Sequence, residues 1–172
     1  NGYKSVSHGG QGSGWMTHFQ SVPETGDGIV ILSNSQRSWP FFAHILGDWA
    51  EWRGISPVGM EQIIHGQKIV WVIIYLLLFM SLWHIWRLGR GYISNNRKFA
   101  PLAVDHRLLR IIKSFISISI FSLLLWAINQ DYLFIKSVFP IASSWLGLTL
   151  FFWALVLLVA ALFPITLDIK GN

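Results

Sequence analysis

Cysteine is absent from all 172 residues, so the chain itself supplies no disulfide, no thiolate nucleophile and no cysteine-held metal. Charge is scarce too. Only 12 % of the residues are Asp, Glu, Lys or Arg, against about 25 % in an ordinary soluble domain. Acids are the scarcer sign, 8 against 13 bases, and between Gln62 and Gln130 there is a single one, Asp105. Ion and proton pathways through membranes depend on ionisable side chains, and the apolar stretches Ile69–Leu88, Ser114–Ile128 and Trp145–Phe163 contain no acid at all. That argues against a transporter. The chain opens Asn1-Gly2-Tyr3, without a basic-then-apolar leader, and reads as a fragment or processed piece of a longer protein.

What is plentiful is apolar surface: 53 % hydrophobic residues and ten Trp, the composition of a membrane protein. The net charge of +5 does not point to nucleic acid. Seven of the thirteen bases lie between Arg87 and Lys113, flanked by apolar runs, where they act as a topology signal rather than a phosphate-binding face. No nucleic-acid partner is expected, and no cofactor or metal. His18, His44, His65, His84 and His106 form no ligand pattern, and Glu61 with His65 is too small a set.

The composition changes sharply between Gly54 and Gln67. Residues 1–54 form a soluble-type region, 55–67 a linker rich in Pro and Gly, and 68–172 a transmembrane region with spans at about 69–88, 108–128 and 145–163. In the first region, Tyr3–His8, Trp15–Ser21 and Gly28–Ser33 read as strands. Gly9, Gly10, Gly12 and Gly14 are expected to form the first turn, and Pro23–Asp27 the second. Apolar residues Phe42, Ile45, Leu46, Trp49 and Trp52 then recur at helical spacing, with Ser38 as N-cap, Pro40 in the first turn and Gly54 as the stop. The expected fold is an α+β fragment of three antiparallel strands and a C-terminal helix, joined to an all-α region of three transmembrane helices.

Twenty helical residues cover about 30 Å, the thickness of a hydrocarbon core, so Ile69–Leu88 and Trp145–Phe163 are long enough to cross. Arg110 and Lys113 belong at the end of the middle span, where they can reach the headgroups. Trp71, Trp83, Trp86, Trp126 and Trp145 fall near span ends. Leu133–Ala142 is too short to cross and reads as an interfacial connection. Five bases against Asp105 in and around loop 89–107 place that loop in the cytoplasm, together with the Lys170 tail, and the N-terminal region outside.

The order of events near the N-terminus is specific: His8-Gly9-Gly10, Gly12–Gly14, the strand from Trp15 to Phe19, Pro23-Glu24, Gly28-Ile-Val-Ile-Leu-Ser-Asn34, and the helix from Ser38 to Trp52. It resembles the C-terminal end of the serine β-lactamase and penicillin-binding-protein superfamily, including its class C-type esterase and D-aminopeptidase members. The likeness covers about the first 54 residues. In that family a Lys-Thr-Gly or His-x-Gly motif lies on the strand beside the cleft. The resemblance implies that His8 is the basic catalytic residue, that Gly10 lets an acyl group approach the strand, and that the Gln11 N–H is an oxyanion donor. Gly9 and Trp15 would then contact substrate. Trp15 and Phe19 also suit plain sheet packing.

This chain departs from the family in having no Ser-x-x-Lys. Ser33-Asn34-Ser35-Gln36 fails the pattern, and Lys113-Ser114 and Lys136-Ser137 run in the wrong order. Acyl transfer needs the nucleophile, so the chain alone is expected to be inactive. The resemblance implies a membrane-anchored bacterial hydrolase acting on amide or ester substrates, including peptidoglycan-type peptides. Its partners would be the lipid bilayer and the missing N-terminal part of the catalytic domain. The rival reading is a non-enzymatic membrane anchor, or a partner-binding or transport-associated membrane protein, with a degenerate extracytoplasmic domain.

Overall fold

The computed structural model describes residues 2–56, 59–101 and 106–165. Pro57, Asp105 and the Lys170 tail lie outside them. The elements in chain order are β1 (Val6–Gly12), β2 (Trp15–Val22), β3 (Asp27–Ser33), α1 (Trp39–Arg53), α2 (Glu61–Ile93), α3 (Arg107–Ile128), α4 (Phe134–Val138) and α5 (Pro140–Leu162). They form two compact units. One holds the chain up to Trp71 together with Tyr132–Ser144; the other holds Val72–Asp131 and the described chain from Trp145 onward.

In the first unit the strands form an antiparallel meander, β1-β2-β3. His8 lies opposite Phe19, and Phe19 opposite Val30. Strand alternation sends Met16, His18, Gln20 and Val22 to one face, where all four are buried. Helix α1 covers that face. Phe42, Leu46, Met16 and Ile31 form one core cluster, and Val22, Ala50 and Ile55 a second. Full burial stabilises each large apolar side chain by about 1.5–3 kcal/mol. Gly54, with φ 64°, stops the helix in the left-handed conformation. Arg53 is bonded to Asp27 at 2.6 Å, joining the end of α1 to the start of β3.

Several sequence expectations shift. Gly9, Gly10 and Gly12 belong to β1, leaving Ser13 and Gly14 as the turn, with the positive φ at Gly14, 84°. Ser38 occupies the N-cap position without a side-chain bond to the helix. Its hydroxyl goes to the Ser35 carbonyl at 2.9 Å and meets Ser33 Oγ at 2.6 Å, tying β3 to the helix start. Trp52 is not on the buried stripe. At 3.6 residues per turn it falls away from the line of Phe42, Leu46 and Ala50, and it is 77 % exposed with the Arg53 guanidinium over its ring.

Residues 61–67, expected to be linker, are the first turns of α2. Residues 140–144, expected to lie before the third span, open α5. Both pieces belong to the first unit. There a side chain on Gly66 would stand 2.9 Å from the Phe139 ring, so glycine admits that ring against the helix.

Three helices, α2, α3 and α5, are long and apolar enough to cross a membrane, and they cover the three expected spans except for Phe163, one residue past the end of α5. Helix α2 has 33 residues, about 50 Å, and therefore exceeds a hydrocarbon core. In the second unit, polar side chains bond carbonyls close at hand: Ser81 to Leu77 at 2.7 Å, His84 Nδ1 to Met80 at 2.8 Å and Thr149 to Trp145 at 2.8 Å. Such bonds are needed where water is excluded. Helices α3 and α5 are joined by Ser117 Oγ donating to the Ala154 carbonyl at 2.8 Å and by the edge-on rings of Phe121 and Phe151.

Candidate functional site

The residues singled out by the resemblance all lie on or next to β1, but the pleat divides them. His8 and Gly10 share the face that carries Trp15, Thr17 and Phe19, away from α1. Gly9 and Gln11 point to the α1 face. Among the described residues, β1 has no strand on its other edge, so alternate N–H and C=O groups along it are free of sheet pairing. An N–H left unpaired along such an edge can serve as a backbone oxyanion donor.

Gly10 and Gly12 leave room that the indole of Trp15 fills. A Cβ on Gly10 would lie 3.0 Å from Thr17 Oγ1 and 3.2 Å from the Trp15 ring, and one on Gly12 would overlap the indole outright. Close backbone approach at these positions is therefore made by the protein's own Trp15. His8 is exposed on the same face, clear of the buried His18, whose Nε2 pairs with Gln20 Oε1 at 3.4 Å.

The Gln11 side chain is the best-anchored group of the site. Trp39 Nε1 donates to its Oε1 at 3.2 Å, and its Nε2 donates to Tyr132 Oη at 2.9 Å. Ser137 Oγ, buried, accepts more weakly from Gln11 at 3.4 Å and donates to the Gln36 carbonyl. Ser137 thus ties this segment to the backbone at Gln36. Phe134 packs edge-on against Trp39, centroids 6.3 Å apart. Sequence reasoning missed Tyr132 and Ser137 at this place. They lie more than 120 residues from Gln11, and no local pattern connects them.

No protein-family model, curated protein or solved structure matches the chain. The chemistry of the site is therefore read from its own residues. It offers an imidazole, an open strand edge, an aromatic ring over glycine and a fixed carboxamide. Among the described residues no group of three His, Asp or Glu side chains could hold a metal ion.

Proposed function

We propose that the first unit is the C-terminal portion of the catalytic domain of a membrane-anchored, β-lactamase-related serine hydrolase. The observation that carries this reading is the one-sided covering of the sheet. Helix α1 covers one face, while the opposite face presents His8 amid Trp15, Phe19, Val30 and Leu32, the last two 63 % and 74 % exposed. Apolar sheet faces are ordinarily covered by a second layer, and a contiguous exposed apolar patch signals a partner. In this reading the second layer is the missing part of the domain, and it brings the serine to the β1 edge.

The reaction is acyl transfer on an amide or ester, including peptidoglycan-type peptides. The serine oxygen attacks the carbonyl as its proton passes to a neighbouring base, the C–N or C–O bond breaks and the amine or alcohol leaves with that proton, and water later hydrolyses the acyl-serine ester. His8 assists proton movement, the Gln11 N–H helps hold the oxyanion, and Gly9 and Trp15 border the acyl group. The three spans anchor the domain in the bacterial cytoplasmic membrane, with the catalytic side outside and the α2–α3 loop and C-terminus in the cytoplasm.

Trp15 over Gly10 favours a second reading, in which the cleft side of β1 is closed and the unit is a non-enzymatic anchor or partner-binding domain. Labelling the full-length protein with a fluorescent penicillin and a fluorophosphonate decides between them. The hydrolase reading expects a covalent adduct on a serine within an upstream Ser-x-x-Lys. Absence of labelling by both probes, or an upstream sequence without that motif, refutes it.

A further inference from the structure

In the second unit, the connection after α2 is bound to the C-terminal end of α5. The Ala100 N–H donates to the Leu162 carbonyl at 3.1 Å, and Arg97 and Ile165 form a β-bridge. Arg97 Nη1 donates to the Phe163 carbonyl at 2.7 Å, and Arg110 Nε donates to the Ala161 carbonyl at 2.9 Å. The last carbonyls of a helix lack partners within it and carry partial negative charge, so these two arginines are accounted for as caps of α5. Gly91 helps to seat Arg97: a Cβ there would stand 2.7 Å from its Cδ.

Two further cations at the same place have no such explanation. Arg87, Arg97, Arg110 and Lys113, with the imidazoles of His84 and His106, line a cavity of about 250 Å³. No acidic side chain among the described residues lines it. The side chains of Arg87 and Lys113 form no hydrogen bond or ion pair among the described residues, whose one ion pair is Arg53 with Asp27. Burial, and then repulsion from Arg87, hold the Arg97 guanidinium below the usual arginine range. A topology signal needs only basic residues near the span ends. It does not need Arg87 and Lys113 to face one concavity, where the two repel each other unless an anion is present.

The cavity also has an apolar neighbour. Leu88 and Arg97 belong both to it and to a cleft of about 420 Å³ lined by Tyr92, Val159 and Phe163. A free phosphate would use only the first. A ligand with an anionic head and a hydrocarbon tail fits both.

We propose that this end of α2, α3 and α5 is a binding site for an anionic glycerophospholipid, with its phosphodiester among Arg87, Arg97, Arg110 and Lys113 and an acyl chain along the Leu88–Phe163 cleft. The site is independent of the hydrolase reading and requires only that the three helices lie in a bilayer.

The test uses the full chain in nanodiscs of phosphatidylcholine containing a minor fraction of spin-labelled phosphatidylglycerol. Binding is expected to saturate, and labelled phosphatidylcholine is expected not to be enriched. Removing a cation near a membrane surface weakens attraction by about fivefold, so Arg87→Gln with Lys113→Gln should weaken binding by about 25-fold. Arg87→Lys with Lys113→Arg, which keeps both charges, should retain binding and shows that the fold tolerates change at these positions. The pair Arg90→Gln with Lys98→Gln removes the same charge outside the cavity and should cost far less. An equal loss in that control overturns the proposal in favour of general surface attraction. Displacement of the lipid by millimolar inorganic phosphate overturns it in favour of a free-phosphate site. Failure of phosphatidylglycerol to saturate or to be enriched overturns it outright.

Discussion

The two units differ less in whether they bury polar groups than in where they put their largest apolar side chains. In the sheet unit the interior holds the large side chains Phe42, Leu46, Met16 and Val22, with His18 and Gln20 buried beside them and bonded to each other. In the helical unit the buried set includes Ser81, Ser117, Thr149 and Ala154, while Phe79, Leu82, Phe115 and Leu125 point outward. Water drives the first arrangement, because burying apolar area is what stabilises it. Lipid tails are as apolar as leucine, so the second arrangement relies on small residues that allow close packing and on hydroxyls that bond within the protein. The same residue type therefore has different worth in the two halves.

Phe42→Ala should break this contrast most severely. Loss of a fully buried ring costs about 3–5 kcal/mol, and limited proteolysis should open the sheet unit while the helical unit keeps its protection. If both are lost together, the units are not separate in stability. Gly12→Ala comes next, at about 1–3 kcal/mol for overpacking against Trp15. Trp15→Ala in the same chain should recover much of that loss, and absence of recovery in denaturant melts would show that the indole is not what requires glycine.

Ser117→Ala should cost only about 0.6 kcal/mol, the average for a hydrogen bond between membrane helices. A loss of several kcal/mol in detergent unfolding would show that the helical unit depends on polar contacts more than this comparison allows. The smallest effect is at Asp27. The Thr25 hydroxyl, followed by the Arg53 guanidinium, holds its carboxyl below the ordinary aspartate range, so the charged form is favoured in the folded state. The resulting stability is present above the unfolded pKa of about 3.9 and is lost as pH falls through the lower folded value. Asp27→Asn should flatten the acid limb of hydrogen-exchange protection in the sheet unit and leave the helical unit unchanged.

Patterns of period and punctuation made much of this legible in advance. Trp15–Ser21 and Gly28–Ser33 alternate or run apolar and are strands; Gly54 ends α1; three apolar runs are helices. What escaped had a tertiary cause. Gly9 and Gly10 look like turn residues, yet they extend β1, with Thr17 and Trp15 close over Gly10. Residues 61–67 look like linker because Gly66 lies among them, yet that glycine admits Phe139. Of the candidate site, His8 and Trp15 were legible as strand residues. Tyr132 and Ser137 were not, because two long helices separate them from Gln11. The cations from Arg87 to Lys113 were visible as a cluster, but their convergence on one cavity depends on where α5 ends.

The carboxamide of Gln11 carries a consequence for biosynthesis. Its partner Tyr132 lies 121 residues further along the chain, and at translation rates of about 5–20 residues per second it emerges roughly 6–24 s later. All three strands and α1 are synthesised before that partner exists, with α2 and α3 made in between. Until the second long helix has been delivered, the nascent sheet has only the Trp39 bond to hold Gln11, which leaves a window for chaperones or proteases to act.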